Sequence, residues 1–273
     1  MDNLISRCRN VSLILLHPCI DVHEVLQEKS IEGHAPIYWA ILNRSHGEDP
    51  EKDELVNTLL HFCSPLNAIT VSEIRLACLQ RADQSLFQRL RHSPQFAPFA
   101  LSAADGMLLG TSILPDAVSV ETIPGDPIPF IVHISIAHFQ KRMRVSNEVA
   151  VEFIAKSACW SHPIPISLRP GRLWRLSFCS SAHKSRNLAW TLSLSLLLDS
   201  PPTFINSQLL IQDAASPSPL QGSGRPNPRS PLCIILKSSS ELVPPGVKLR
   251  GSQRKELIVS LEDSIMQSGL QQL

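Results

Sequence analysis

The chain has 273 residues, of which 43% are hydrophobic and 18% are charged. That length and apolar content support one large core or two small ones, and two domains are the more typical arrangement. The net charge of +1 supplies no electric field that would make nucleic acid or an anionic membrane the expected partner.

The N-terminal part is patterned as helices joined by turns. An apolar stretch at residues 11–16 precedes a polar turn at 21–23, and Gly33-His34-Ala35-Pro36-Ile37-Tyr38-Trp39-Ala40 follows. Within the latter, Gly permits a positive φ, Pro presets φ in the first helical turn, and the final Ala lets two helices approach closely. A second helix is predicted to end at Leu59-Leu60, before a turn at 65–67.

This order resembles an ankyrin repeat, in which a Gly-led turn enters a Thr-Pro-Leu-His-x-Ala helix and a second helix ends in Leu-Leu. Ala35, Ile37 and Tyr38 stand where that pattern has Thr, Leu and His. The resemblance implies stacked neighbouring units, because one such unit cannot bury its apolar face alone. Residues 11–23 upstream, and helices predicted at 74–78 and 85–90, supply those neighbours.

The spacing of the units differs from that of an ordinary ankyrin repeat. The step from Leu16 to Leu60 is 44 residues, against roughly 33 in an ankyrin unit. The charged stretch at residues 45–54 contains no apolar side chain and predicts an insertion between two helices. The alternative for residues 1–110 is a small helical bundle whose Leu-Leu pairs are ordinary core.

After residue 110 the apolar side chains alternate, which predicts half-buried strands of an antiparallel sandwich or barrel. The alternating positions are Phe130, Val132, Ile134 and Ile136, then Val149, Val151 and Phe153, then Trp174, Leu176 and Phe178, then Trp190, Leu192, Leu194 and Leu196. Two further strands are predicted at 232–237 and 256–261. We expect these last two to complete the sheets from a distance.

The run Leu173-Trp174-Arg175-Leu176-Ser177-Phe178 and the later run 190–198 resemble paired strands of a MATH (TRAF-like) sandwich. Phe130-Ile131-Val132-His133-Ile134 resembles that family's opening strand. The resemblance implies peptide capture at a sheet edge, with no individual contact residue carried over. The Pro-rich stretch 157–172 interrupts the pattern and is interpreted as a connecting loop or as an artefact of the gene model.

We therefore predict an α+β multidomain chain. Degenerate ankyrin-like helical repeats span residues 1–110, and a β-sandwich-like domain spans 111–212. A disordered Pro/Ser/Gly linker covers 213–231, strands that complete the sandwich lie within 232–265, and a tail covers 266–273. The combination, with Gln140-Lys141-Arg142-Met143-Arg144-Val145-Ser146, resembles fungal proteins of basidiomycete type, a resemblance that brings no known activity with it.

No enzyme motif is present in the sequence: there is no G-x-S-x-G, H-E-x-x-H, P-loop or G-x-G-x-x-G that opens a helix. The seven cysteines are scattered singly, which favours buried thiols in a reducing intracellular compartment, cytoplasmic or nuclear. We expect no cofactor, metal or small-molecule substrate. The apolar run at 188–198 is too short to span a bilayer, so no membrane partner is expected either.

The sequence thus predicts a non-catalytic scaffold that binds a protein partner through its ankyrin-like surface. The expected contact residues are Glu32, Gly33 and His34, with Tyr38 as a candidate anchor and Trp39 assigned to the core. The basic clusters Lys141-Arg142-Arg144 and Arg169-Arg172-Arg175 lack the interleaved aromatics of an RNA-binding sheet and are interpreted as solvated strand ends. The alternatives are a structural domain of a larger assembly, a hydrolase or a nucleic-acid-binding module.

Overall fold

The computed structural model describes residues 21–30, 32–44, 53–93, 95–96, 116–123, 129–146, 148–156, 171–181, 189–212 and 232–261. Over these residues the protein is a mixed α+β fold with helices and antiparallel sheets. The chain divides into an N-terminal unit, residues 1–138 with 152–174, and a second unit, residues 139–151 with 175–273. This division differs from the predicted one, because strands before residue 138 group with the N-terminal helices. Residue 110, the predicted boundary, lies outside the described residues.

Six helices lie within the described residues: α1 (Val22–Val25), α2 (Pro36–Leu42), α3 (Glu54–Phe62), α4 (Ala68–Arg81), α5 (Gln84–Arg91) and α6 (Phe139–Ser146). None of them combines the length and apolar character that crossing a bilayer requires. The helices expected to end at Leu59-Leu60 and to cover 74–78 and 85–90 are confirmed as α3, α4 and α5. The predicted apolar stretch at 11–16 lies outside the described residues.

Side-chain caps fix where three of these helices begin. The carboxylate of Asp53 accepts a hydrogen bond from the Val56 amide at 3.1 Å, and the side chain of Asn67 accepts one from Thr70 at 2.8 Å. Asp83 accepts from the Leu86 amide at 3.0 Å. Each cap satisfies an amide that has no partner inside its own helix, so α3, α4 and α5 start at defined residues.

The core of the helical region lies where α2 packs against α4 and α3. The buried apolar side chains here are Ile37, Ile41, Val56, Leu59, Leu60, Ile74, Ala77, Cys78, Leu86, Phe87 and Leu90. On each helix they recur three or four positions apart, which places them on one face. Burial of that face, rather than the propensity of these short helices, stabilises them.

A buried ion network holds the ends of three helices together. Arg44 follows α2, and its Nη1 donates to Asp83 Oδ2 at 2.8 Å while its Nε lies 3.0 Å from Asp53 Oδ2. The Arg44 side chain is 4% exposed. One guanidinium therefore joins the N-cap of α3 to the N-cap of α5. Nearby, Arg81 Nη1 donates to the Leu42 carbonyl at 2.6 Å, which satisfies the last turn of α2.

Eight strands form three sheets within the described residues. They are β1 (Ala117–Thr122), β2 (Phe130–Ser135), β3 (Glu148–Lys156), β4 (Gly171–Ser181), β5 (Ala189–Leu196), β6 (Asn206–Ile211), β7 (Leu232–Lys237) and β8 (Glu256–Ser260). The orders are β1-β2, β3-β4-β5-β8 and β6-β7. The pairs β1 with β2, β5 with β8, and β6 with β7 are antiparallel.

The six predicted strands are confirmed, whereas β1, β6, α1 and α6 were not predicted. The polar turn expected at residues 21–23 is wrong, because Asp21 caps α1 there. The strand at 256–261 joins the sheet from a distance as expected, through its pairing with β5. Of the predicted loop at 157–172, the last two residues belong to β4, which begins at Gly171. Residues 157–170 lie outside the described part of the chain.

The outer edge of β3 is lined by two glutamines of α5, both in the N-terminal unit. The Ile154 amide donates to Gln84 Oε1 at 2.7 Å, and Gln88 Nε2 donates to the Glu152 carbonyl at 2.7 Å. β3 is the first strand of its sheet, so these backbone groups face away from β4. The amides thus satisfy an edge that would otherwise carry unpaired polar groups.

Replacing Arg44 by Met should lower the free energy of unfolding by about 3 kcal/mol, because Asp53 and Asp83 would keep their charges without the buried counterion. Urea unfolding followed by circular dichroism measures the loss. Arg44→Lys is the matched control: it keeps the charge but cannot reach both carboxylates in the same way, so we expect an intermediate loss. Wild-type stability in Arg44→Met would show that the network does not hold the helices.

Gly171→Ala should destabilise the protein by about 1–3 kcal/mol, because the added methyl group crowds a packed core. A Cβ at Gly171 would lie 2.9 Å from Ile154 Cγ2 and 3.3 Å from the Leu79 carbonyl oxygen. Gly251→Ala is the comparison, since it meets open space and its φ of +58° costs about 1 kcal/mol of backbone strain. If thermal unfolding showed that Gly171→Ala destabilises the protein less than Gly251→Ala does, the inference of close packing around Gly171 would be contradicted.

Candidate functional site

The candidate site is built around the turn that precedes α2. Glu32 and Gly33 have φ angles of +49° and +79°, so the chain reverses in the left-handed region that favours Gly. The Ser30 amide donates to the His34 carbonyl at 3.1 Å across the turn. Pro36 then begins α2, as its fixed φ predicts. The residues of the turn, 32–34, are called the His34 turn below.

The His34 turn is fastened to α4 by a buried carboxylate. Glu73 is 3% exposed, and its two oxygens lie 2.7 Å from Lys29 Nζ and 2.6 Å from His34 Nδ1. An ionised carboxylate only accepts hydrogen bonds, so the His34 Nδ1 carries the proton of this contact. The charge of Glu73 is thus compensated from both sides of the turn, which a buried charge requires.

The electrostatics of Glu73 reflect two opposing effects. Burial alone would raise the pKa of this carboxyl, but the hydrogen bonds and positive charge of Lys29 and His34 outweigh burial, and the pKa lies below its usual value. Glu73 therefore remains an ionised acceptor at neutral pH. It has neither the exposure nor the free proton that acid catalysis would need.

Three aromatic rings pack behind the turn. The His34 ring stacks on Tyr38 with centroids 3.8 Å apart and planes 8° apart. Trp39 meets both rings edge-on, at 5.9 Å from His34 and 5.1 Å from Tyr38. The Tyr38 hydroxyl donates to Gln80 Oε1 at 2.8 Å. Burial, together with the charges of Glu73 and Glu32, raises the pKa of Tyr38 although the bond to Gln80 opposes the shift.

The structure corrects the roles expected for the two adjacent aromatic residues. Tyr38 is only 4% exposed and is part of the core, whereas Trp39, assigned to the core from sequence, is half-buried. Tyr38 therefore cannot serve as a surface anchor. Glu32 and Gly33 are exposed as expected, and the His34 side chain is 26% exposed. The accessible surface of the site consists of Lys29, Glu32, Gly33, His34 and Trp39.

A cavity of about 600 Å³ adjoins this surface through Lys29. It lies between α1 and the start of α4, and its lining residues are His23, Glu24, Gln27, Glu28, Lys29, Asn67 and Ile69. Glu24 and Glu28 are exposed at its rim. The Ile69 side chain is 55% exposed and adds an apolar wall.

Other residues weighed from the sequence do not form a reactive site. Burial raises the pKa of the Cys63 thiol to about 11 and raises that of Cys78 further, so neither supplies a thiolate nucleophile. Among the described residues, no group of three or more His, Cys, Asp and Glu could hold a metal ion. Arg172 is 2% exposed, so it is not the solvated strand end that was expected. Arg175 pairs with Glu148 at 2.9 Å, and Arg169 lies outside the described residues.

The partners of the His34 turn were missed by sequence reasoning. Glu73 and Gln80 come from the next helix pair, and Lys29 precedes the turn. One signal was available: Glu73 is a charge on the helix face that carries Thr70, Ile74 and Ala77, all of which are buried. A carboxylate on an apolar face predicts a buried cationic partner.

Comparison with known proteins adds no relative: no family model, no curated protein and no solved structure matches the chain.

Glu73→Gln should lower the free energy of unfolding by about 2 kcal/mol at pH 7, because the amide loses the charge that Lys29 and His34 compensate. The folded-state pKa of Glu73 is depressed, so its stabilisation is complete above the ordinary carboxyl pKa of about 4.3 and is lost as pH falls through the lower folded value. The stability difference between wild type and variant should therefore shrink in acid.

Urea unfolding between neutral pH and the acid range measures this dependence. Glu28→Gln is the matched control, since that carboxylate is exposed. We expect the unfolding free energy of this variant to follow that of the wild type over the same pH range. A constant difference between wild type and Glu73→Gln at every pH would contradict the assigned ion pairs.

Proposed function

We propose that the protein is a non-catalytic interaction scaffold whose N-terminal helices form a short, degenerate ankyrin-type stack. The stack presents the His34 turn and Trp39 to a protein partner. This function rests on one observation above all: side-chain links join each helix pair to the next across one unit length.

Six of these links span 39 to 42 residues. They connect His23 with Pro65, Gln27 with Asn67, His34 with Glu73, Tyr38 with Gln80, Leu42 with Arg81 and Arg44 with Asp83. An offset that stays within a few residues is what two stacked copies of one unit produce. Two parallel helices packed side by side give such an offset as well; here it recurs from α1 through Arg44, over more than one helix.

The exposed residues of the site fit recognition of a protein. In a repeat stack the turn tips and first helices line the binding face, and here the tip carries Glu32 beside the half-buried ring of Trp39. Tryptophan is enriched among residues that dominate interface energies. The ion pairs of Glu73 hold the turn before a partner arrives, which lowers the ordering cost of binding.

The later strands complete the proposal. We propose that β3–β5 and β8 form one layer of a sandwich and that β6 and β7 contribute to the other. Support comes from the burial of alternate residues, including Leu192, Leu194 and Leu196 on β5 and Ile234 and Leu236 on β7. We also propose an intracellular location, because Cys63, Cys78, Cys179 and Cys233 are free thiols.

The function is tested by site-specific photo-crosslinking in cells that express the full chain. A photoreactive amino acid at Ser30, which is exposed beside the His34 turn, should capture a reproducible protein adduct. Glu32→Lys should reduce the adduct about tenfold, because reversing a contact charge costs at least about 1.4 kcal/mol of binding free energy.

Asp199→Lys is the matched control, since Asp199 is also an exposed acid with a positive φ, of +65°. It should leave the adduct unchanged. Absence of any adduct at Ser30, or equal loss in both variants, would favour a structural domain without its own binding surface.

A further inference from the structure

A second surface lies in the other unit, on the closed loop formed by residues 244–255, called the basic loop below. Its ends are tied together: the Val243 amide donates to the Arg254 carbonyl at 2.9 Å, and the Arg254 amide donates to the Glu241 carbonyl at 3.0 Å. Such compact loops with adjoining ends often carry binding functions.

Side-chain hydrogen bonds also order the interior of the basic loop. The Arg250 amide donates to Gln253 Oε1 at 3.0 Å, while Gln253 Nε2 donates to Glu241 Oε2 at 2.8 Å. Gln253 thus links the tip of the loop to its base. Because the conformation is held by these bonds, a ligand would bind without a large ordering cost.

The basic loop concentrates positive charge. Lys248, Arg250, Arg254 and Lys255 are all exposed, and within the described part of the chain their side chains make no ion pair or hydrogen bond. The carboxylate of Glu241 is already bonded to Gln253. Glu256, the next residue along the chain, is the one acid in 244–256. Four cations against Glu241 and Glu256 leave a net positive charge at the loop that the overall charge of +1 does not reveal.

Apolar side chains stand among these cations. Val247 is 40% exposed and Leu249 is 52% exposed, and they alternate with Lys248 and Arg250. The loop has no aromatic residue on which a nucleic-acid base could stack. Two aliphatic side chains are also a small area for insertion into a lipid interface. An acidic segment that brings its own aliphatic side chains complements both features.

We propose that the basic loop binds an acidic, aliphatic-containing peptide segment of a partner protein. Carboxylates of the segment pair with Lys248, Arg250, Arg254 and Lys255, and its aliphatic side chains cover Val247 and Leu249. This binding is independent of the His34 turn, so the scaffold would hold two partner segments by different chemistry.

Fluorescence anisotropy of the full chain with a labelled peptide, Glu-Val-Glu-Leu-Glu-Val-Glu, tests the proposal. The peptide Gln-Val-Gln-Leu-Gln-Val-Gln is the control probe. We expect binding of the acidic peptide alone, weakening with added salt. Lys248→Gln combined with Arg250→Gln should weaken it at least about tenfold, and Arg254→Gln with Lys255→Gln should do so independently.

Arg144→Gln combined with Lys237→Gln is the matched control, because it removes two exposed cations of the same unit outside the loop. It should leave the affinity unchanged, and Leu249→Ser should weaken binding without altering its salt dependence. Equal weakening by loop and control variants would overturn the proposal. So would tighter binding of a single-stranded oligonucleotide, or of phosphatidylserine vesicles, than of the acidic peptide.

Discussion

A single buried guanidinium sets the register of the helical half of this protein. Arg44 can reach the caps of α3 and α5 together only when α2 lies at one position along both helices. Buried ion pairs add little net stability, because desolvation offsets their attraction. A buried charge that is separated from its partner costs much free energy, so every other register of the helices is disfavoured. The contacts of His34 with Glu73, of Tyr38 with Gln80 and of the Leu42 carbonyl with Arg81 join the same helices over 39 to 42 residues.

The exposed and buried parts of the His34 turn depend on each other. The buried carboxylate of Glu73 bonds to Lys29 and His34, while Glu32 and Gly33 lie at the surface in a left-handed conformation. A Gly-led turn without that anchor would sample many conformations, because Gly loses much freedom on folding. The conformation of the exposed turn is therefore held by a buried carboxylate.

Local patterns were readable from the sequence, and long-range partners were not. Helical spacing located α3–α5, and alternation located β2–β5, β7 and β8. Two of the elements that escaped are stabilised by pairing or packing: β6 begins with exposed Asn206 and Ser207 and is aligned by β7, while α6 buries only Met143. The roles of Tyr38 and Trp39 were predicted the wrong way round. Successive residues of a helix point about 100° apart, and only the packing of the helix decides which of the two faces inward. Glu73, the partner of His34, lies 39 residues further along the chain, a separation that no local spacing pattern reveals.

The α5 glutamines beside β3 imitate a neighbouring strand. A donor faces the Glu152 carbonyl and an acceptor faces the Ile154 amide two residues later, which is the pattern that an added strand would offer. Since these groups are already satisfied, another chain gains no backbone hydrogen bonds by docking there. The helix thus covers the edge of β3 at residues 152–154, where an added strand would otherwise pair.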